Sequence, residues 1–248
     1  MRLRLAVSAS ALLLAACAAN PQLPDVSGVD ALLIGEQHDA KDHPRLQERW
    51  VSSLAERGTL SAVTLEMAER GTTTAGLPKA ASEEEVRSAL QWNKSGTGWR
   101  WERYGPAIMA AVRAGVPVLG ANLPREDQRA AMKDQTLEVL LPAPALQRQQ
   151  QAIRRGHCDM LPEHQLLPMT RVQIARDLAM AQTITGATSQ GKTVILLAGS
   201  GHVVPQLGVP QHLPERLSVR SAILPAEETG KDYCAEFKKQ QSAPKAAS

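Results

Sequence analysis

Short apolar runs recur along the chain, and helical patterns separate them. The first four runs are continuously apolar rather than alternating, which is typical of parallel strands buried on both faces. Between them, residues 44–57 have an amphipathic pattern, and Ser82-Glu-Glu-Glu85 matches a capping box at the start of a helix. This alternation predicts an α/β fold with a mostly parallel sheet flanked by helices. The predicted strands are 31–34, 62–65, 116–119 and 194–198, with a weaker fifth at 218–224.

The strands and helices predict one domain spanning residues 29–237. Two stretches inside it, 72–104 and 141–168, lack strand signals, and we expect them to form a small helical cap. Residues 238–248 are polar and rich in Ala, Ser and Lys, so they predict a disordered tail.

The first 16 residues predict a lipoprotein signal peptide. A short basic region precedes an apolar run at residues 5–16, which is too short to span a bilayer as a stable helix. The run ends in Leu-Ala-Ala-Cys17, which is similar to a bacterial lipobox and predicts lipidation of Cys17, with residues 17–28 as a linker. A plain secretory signal is the alternative. Because Ala18 rather than Asp follows the cysteine, we expect an outer-membrane lipoprotein facing the periplasm.

The charge balance argues against a nucleic-acid partner. The chain has 28 basic and 25 acidic side chains, and removal of residues 1–16 takes away two arginines, leaving 26 and 25. A nearly neutral protein lacks the basic surface that nucleic acid requires.

Two cysteines remain beyond the lipobox, Cys158 and Cys234. In an oxidising periplasm they are expected to form a disulfide between a mid-chain loop and the C-terminal segment. A zinc site is less favoured, because neither cysteine has Cys-x-x-Cys spacing.

Polar side chains follow four of the predicted strands at the points where those strands end. Ligands of open parallel sheets bind beyond the carboxyl ends of the strands, so these groups predict one wall of a site. Two of the strand ends share the pattern Gly-x-x-His, in which glycine permits a tight turn before the imidazole. The strand-end groups are Glu36, His38, Glu66, Asn122 and His202.

Three interpretations of this site stay open. His38, Glu66 and His202 suit a divalent transition metal with open coordination positions. Without a metal, a histidine could act as general base while a glutamate fixes its tautomer, which makes Glu36, His38, Glu66 and His202 the candidate catalytic groups of a hydrolase. In the third interpretation, these groups only hydrogen-bond one another.

Six motifs in consistent order resemble the ChaN family over residues 29–217. Each motif alone is ordinary, but the ordered set is specific. The motifs are Leu-Leu-Ile-Gly-Glu-Gln-His at 32–38, Thr-Leu-Glu-Met at 64–67, Trp-x-x-Tyr-Gly-Pro at 101–106, Gly-Ala-Asn-Leu-Pro-Arg at 120–125, Gln-Ile-Ala-Arg-Asp-Leu-Ala-Met-Ala at 173–181, and Leu-Ala-Gly-Ser-Gly-His at 197–202 with Leu-Gly-Val-Pro at 207–210.

The resemblance implies a haem-binding lipoprotein associated with bacterial iron uptake. The family belongs to a superfamily with the Tiki proteases and erythromycin esterases, and the resemblance implies an α/β core with haem at a homodimer interface. A tyrosine is the implied iron ligand. Tyr104 lies inside a matched motif, whereas Tyr233 lies outside it. The other residues expected to contact haem are His38 and His202, with Arg125, Arg171 and Arg176 as candidates to hold the propionates.

These patterns favour a binding protein over an enzyme, because nothing in the sequence indicates a scissile substrate. The expected partners are haem, a membrane through the lipid anchor, a second copy of the chain, and a haem receptor or transporter. A metal-dependent or histidine-based hydrolase is the alternative.

Overall fold

The structure is a computed structural model and describes residues 21–92 and 98–242. Its five strands form one sheet, ordered β3-β2-β4-β1-β5, in which every neighbouring pair is parallel. The predicted α/β fold is confirmed, and all five predicted strands are present. Their bounds are β1 Ala31–Glu36, β2 Leu60–Glu69, β3 Val118–Asn122, β4 Thr193–Gly199 and β5 Val219–Ile223.

Helices pack on both faces of this sheet. The predicted capping box at the start of α2 is present, since the Ser82 hydroxyl accepts from the Glu85 N–H and the Glu85 carboxylate accepts from the Ser82 N–H. No helix of the described residues is long and apolar enough to cross a membrane. The α-helices are α1 His43–Glu56, α2 Glu83–Ala89, α3 Trp101–Ala114, α4 Arg125–Ala131, α5 Ala143–Gly156, α6 Glu163–Ala187 and α7 Tyr233–Ser242.

Alternation along the buried strands divides the core into two layers. In β1, Leu32 and Ile34 pack with α1 and α3 on one face, whereas Ala31 and Leu33 pack with α6 on the other. Successive side chains of a strand point to opposite faces, so this alternation also fixes where polar residues at a strand end will point. Glu36 continues the α1 and α3 face.

The two stretches expected to form one cap lie in different places. Val86 and Leu90, from the first stretch, pack with α1 and α3. Leu141, Ala145 and Leu166, from the second, form a separate apolar cluster with α4 and α6. The expectation of a single cap is therefore wrong for the described residues, because α6 carries the second stretch to the opposite face of the sheet.

The C-terminal segment is more ordered than the sequence predicted. Helix α7 runs through Ser242, so residues 238–242 are helical rather than disordered. A disulfide joins Cys158 to Cys234 and holds the start of this helix, and closing a loop of this length stabilises a fold by about 4–5 kcal/mol. The predicted signal peptide, Cys17 and residues 243–248 lie outside the described residues.

Candidate functional site

Three adjacent strands place the site at the carboxyl edge of the sheet. Strand β4 lies between β1 and β2, and its last residue, Gly199, pairs in register with Glu36 of β1. Glu66 of β2 lies on the other side of β4. Because of strand alternation, Glu36 points toward α1 and α3, whereas Glu66 points toward α6. The two carboxylates therefore approach the same edge from opposite faces.

Glu36 is buried and accepts hydrogen bonds from three elements. The Tyr104 hydroxyl of α3 donates to Glu36 Oε1 at 2.5 Å, and the Gln47 amide of α1 donates to Oε2 at 2.7 Å. His38 Nδ1 lies 2.9 Å from Oε1. A carboxylate can only accept, so this bond places a proton on His38 Nδ1 and directs Nε2 away from Glu36.

Glu66 is buried between two imidazoles and a guanidinium. Arg176 donates to Oε1 at 2.6 Å, and the Gly199 N–H donates to Oε2 at 2.6 Å. His202 Nε2 lies 3.4 Å from Oε1, and His38 Nε2 lies 3.8 Å from Oε2. Burial by itself would raise the pKa of Glu66, but His202, Arg176 and His38 outweigh burial and hold that pKa far below its usual value. Glu66 is therefore an anion shared by both histidines.

His202 bridges the two carboxylates on the α6 side. Its Nδ1 lies 2.5 Å from Asp177 Oδ1, and the Gln173 amide lies 3.0 Å from the same nitrogen. Burial lowers the pKa of His202, but the charges of Glu66 and Asp177 outweigh it and raise that pKa to about 9. His202 is consequently an imidazolium ion at neutral pH, held in a buried network of alternating charge.

Gly199 creates the space that His38 occupies. A Cβ at this position would lie 2.7 Å from His38 Nε2 and 3.5 Å from Glu66 Oε2. Any side chain here would therefore displace the imidazole from the sheet edge. The glycine at the end of β4 has a steric role in addition to permitting a turn.

His38 is the accessible member of the network. Its side chain is 39% exposed, whereas the side chain of His202 is 5% exposed. The Trp99 ring packs beside His38 with 4.6 Å between ring centroids, and the same indole contacts Tyr104 edge to face. The site thus presents one imidazole next to an aromatic surface.

The structure brings together Glu36, His38, Glu66, Asn122 and His202, as their positions at strand ends predicted. Tyr104 also lies there, but not as an open iron ligand. Its side chain is fully buried, its hydroxyl donates to Glu36, and burial together with the Glu36 carboxylate raises the pKa of Tyr104 far above its usual value. The expectation that a Tyr104 phenolate binds iron does not fit this arrangement.

Of the three arginines expected to hold propionates, two are already paired within the protein. Arg171 binds Glu138 and the Met132 carbonyl at 2.7 and 2.9 Å and is largely buried. Arg176 binds Glu66 and Asn122. Arg125 alone of the three is exposed, with its backbone N–H donating to the Glu69 carboxylate.

The three residues of the metal interpretation lie together, with His38 Nε2 and His202 Nε2 at 3.8 and 3.4 Å from the Glu66 carboxylate. Within residues 21–92 and 98–242, no group of three or more His, Cys, Asp or Glu side chains has the spacing of a metal site.

Sequence reasoning missed two buried partners of the site, Asp177 and Gln47. Both are polar residues on the apolar side of a helix, three and four residues before buried apolar ones. Asp177 precedes Met180 and Ala181 at this spacing, as Gln47 precedes Trp50 and Val51 on α1. A polar residue within a buried helical stripe is a signal for an internal hydrogen-bond partner.

Comparison with known families gives a match over most of the chain. The family model described as "Haem-binding uptake, Tiki superfamily, ChaN" matches residues 23–213. The chain belongs to this family. The resemblance inferred from the six motifs is thereby confirmed, and the family's description agrees with haem as the expected cofactor.

Two solved structures resemble this family member. The structure described as cofacial haem binding to ChaN of Campylobacter jejuni superposes with a TM-score of 0.67 and 22% identity, covering 84% of this chain and 85% of that one. At this identity the match shows a shared fold. The type III effector HopBA1 aligns with a TM-score of 0.38 and 16% identity over 70% and 68% of the two chains, and nothing is inferred from it. Comparison with curated proteins gives no significant match.

Proposed function

We propose that this chain binds ferric haem at the carboxyl edge of its sheet and serves bacterial haem or iron acquisition from a lipid anchor. Membership of the haem-binding uptake family supports the ligand. The observation that carries the proposal is His38, the partly exposed imidazole whose Nδ1 is fixed on Glu36. A histidine held in this way on a carboxylate would be a suitable nitrogen donor for haem iron.

The surroundings of His38 fit the rest of a haem group. When bound, haem would supply a ferric iron that takes a donor atom from the protein, and a flat apolar ring that packs against nonpolar surface. Trp99 lies beside the imidazole and offers an aromatic surface for that ring. Arg125 is exposed and unpaired among the described residues, so its guanidinium is the candidate for a propionate. These residues hold and orient the ligand, while Glu36 fixes the donor.

Titration with ferric haem tests the proposal. The chain without residues 1–17 should give a change in the Soret band that saturates at micromolar protein. The Arg125→Ala variant should bind more weakly and keep the same spectrum, because it loses a propionate contact but no iron ligand. A linear Soret change without saturation would contradict haem binding.

The lipid anchor, the periplasm-facing outer-membrane location, the homodimer and the haem receptor or transporter remain parts of the same proposal. The lipobox at Cys17 supports the anchor. Cys17→Ser should move the protein from the membrane fraction to the soluble periplasmic fraction. Chromatographic size with and without haem tests the dimer, and an unchanged monomer in both conditions would remove it from the proposal.

A histidine-based hydrolase is the second candidate. Two histidine–carboxylate pairs, Glu36 with His38 and Asp177 with His202, flank Glu66, which is the arrangement that general acid–base chemistry uses. Elemental analysis of protein purified without chelator discriminates between the candidates. Iron with a porphyrin spectrum favours haem binding, and stoichiometric zinc, manganese or cobalt favours a metal hydrolase. The absence of both leaves a histidine-based hydrolase or a network that only stabilises the fold, and a hydrolase assay of the same protein separates these two.

A further inference from the structure

A C-terminal segment outside the family match crosses the loop that carries His38. Residues 225–234, here called the strap, follow β5 and pack against residues 37–43 of the loop after β1. The family model ends at residue 213, so the strap lies beyond the matched part of the chain. It is a feature of this chain that family membership does not explain.

Glu227 is the centre of the contact between the strap and the loop. Its backbone N–H donates to Gln37 Oε1 at 3.0 Å, and its carbonyl accepts from Gln37 Nε2 at 3.2 Å. Its carboxylate accepts from the backbone N–H groups of Lys41 at 2.6 Å and Asp42 at 3.0 Å. One residue of the strap therefore binds both the beginning and the end of the His38 loop.

Tyr233 and Lys231 hold the middle of the loop through Asp39. The Tyr233 hydroxyl lies 3.0 and 3.1 Å from the two oxygens of the Asp39 carboxylate, and Lys231 Nζ lies 2.8 Å from Oδ2. Gln37 and Asp39 are the two neighbours of His38 in sequence. The strap thus holds both residues that flank the exposed imidazole.

Both ends of the strap are fixed. At the start, the buried His43 side chain accepts from the Gln37 N–H at Nδ1 and lies 2.9 Å from the Pro225 carbonyl through Nε2. At the other end, Cys234 follows Tyr233 directly and is joined to Cys158 between α5 and α6. A segment anchored at both ends can hold a loop in one conformation.

We propose that the strap positions His38 for its ligand, with Glu227 and Tyr233 as positioning residues and the disulfide as the outer anchor. This inference rests on the proposed function of His38 as the haem donor. Haem affinity falls in proportion to the fraction of molecules whose loop holds His38 in the binding conformation. Loosening the strap should therefore weaken haem binding without removing any iron ligand.

The sharpest test compares Glu227→Gln with Glu228→Gln in the full chain. The first substitution keeps the size of the side chain but removes the charge that holds two N–H groups, whereas Glu228 is exposed and serves as the matched control. We expect Glu227→Gln to weaken haem binding by about tenfold, because the binding conformation of the loop would be about tenfold less populated. Glu228→Gln should leave the affinity unchanged. Equal affinities in the two variants, with equal melting temperatures, would overturn the proposal.

Two further measurements separate this inference from the proposed function. The ¹⁵N signals of the His38 ring report its environment without haem, and they should shift or broaden in Glu227→Gln and in Tyr233→Phe but not in Glu228→Gln. Unchanged ring signals in both strap variants would overturn the positioning role even if haem binds. If the wild-type chain binds no haem while the ring signals respond as expected, the proposed function fails and the strap still positions His38.

The disulfide anchor has its own test. A variant with both Cys158→Ala and Cys234→Ala should fold, bind haem several-fold more weakly, and show the same change in the His38 ring signals as Glu227→Gln. Wild-type affinity and ring signals in this folded double variant would remove the disulfide from the proposal. A variant that does not fold is replaced by Tyr233→Phe, which releases Asp39 and leaves the disulfide intact.

Discussion

His38 and His202 each stand three residues beyond a glycine at a strand end, yet the protein surrounds them differently. His38 has Glu36 on Nδ1 and lies 3.8 Å from Glu66 through Nε2, and its ring packs beside Trp99 with 39% of the side chain exposed. His202 is enclosed, with Asp177 on Nδ1 and Glu66 on the side of Nε2. The difference shows how one sequence pattern can supply both a ligand-facing imidazole and a structural cation. The two roles are separated by burial, since the side chain of His202 is 5% exposed and that of His38 is 39% exposed.

The largest expected effect is on stability. Replacing His202 by Ala leaves Glu66 and Asp177 buried with one fewer positive charge between them, and breaking a buried ion pair in this way costs about 3–5 kcal/mol. His38→Ala should change the free energy of unfolding by less than about 1 kcal/mol, because its side chain is partly exposed. Urea denaturation of both variants measures the contrast. Equal losses would show that the two histidines do not differ in role.

The second effect is a pH dependence from the enclosed histidine. The pKa of His202 rises from 6.5 to about 9 on folding, so the folded state binds this proton more tightly than the unfolded state. The resulting stabilisation is fully present below pH 6.5 and is lost as the pH rises through about 9, with a total of roughly 3 kcal/mol. Unfolding free energies measured from pH 6 to 9.5 should fall over this window.

Asp177→Asn provides the control for this pH dependence. The amide keeps an acceptor for His202 Nδ1 but removes one of the two charges that raise the pKa. The decline in stability should then still begin near pH 6.5, but it should end at lower pH and be smaller. A wild-type profile in this variant would mean that Asp177 does not hold the His202 proton.

The third effect concerns ligand binding and should reverse the order of the two histidines. If His38 donates to the haem iron, His38→Ala should weaken ferric haem binding by about a hundredfold or more, close to 3 kcal/mol. Asp177→Asn should leave the haem affinity within about tenfold of wild type, because it alters the enclosed pair only. Soret titrations of both variants test this. Similar affinity in wild type and His38→Ala would transfer the donor role to another residue.

The sequence predicted where His38 and the other strand-end residues lie better than it predicted how His202 is enclosed. The strand ends could be located because β1, β2 and β4 are continuous apolar runs, and parallel strands bring their ends to one edge. The strand ends therefore predict that four residues lie together: Glu36, His38, Glu66 and His202. Their burial and protonation depend on contacts with α1, α3 and α6, which lie elsewhere in the sequence. No local sequence pattern specifies those contacts.

Asp177 and Tyr104 show the two ways in which local reasoning falls short. Asp177 lies within the motif at 173–181, which does not indicate its partner, and the packing of α6 aims it at His202. Tyr104 lies in a motif shared with the family, but a motif does not indicate whether the Tyr104 hydroxyl faces solvent or a carboxylate. In the structure it donates to Glu36. The strap was missed for a third reason, since its order depends on the disulfide and on contacts about 190 residues apart in sequence.

The smallest expected effect distinguishes a positioning role for Tyr104 from an iron-ligand role. Tyr104→Phe keeps the ring that packs against Trp92 and Trp99 and removes only the hydroxyl that donates to Glu36. Losing a hydrogen bond to a charged group costs about 2 kcal/mol of stability. Glu36 keeps its bonds to His38 and Gln47, so the ferric haem spectrum should stay that of a histidine-ligated complex, with affinity lowered only a few-fold.

Tyr233→Phe is the matched control, because Tyr233 carries the only other tyrosine hydroxyl of the chain. Its hydroxyl contacts Asp39 at the exposed rim, so its loss should weaken haem binding through the strap and leave the iron ligand unchanged. A tyrosinate-to-iron charge-transfer band in the wild type that disappears in Tyr104→Phe would require the buried phenol to leave Glu36 when haem binds. If that band disappears in Tyr233→Phe instead, the strap itself supplies the iron ligand. The partly exposed His38 would then contact another part of the haem and not its iron.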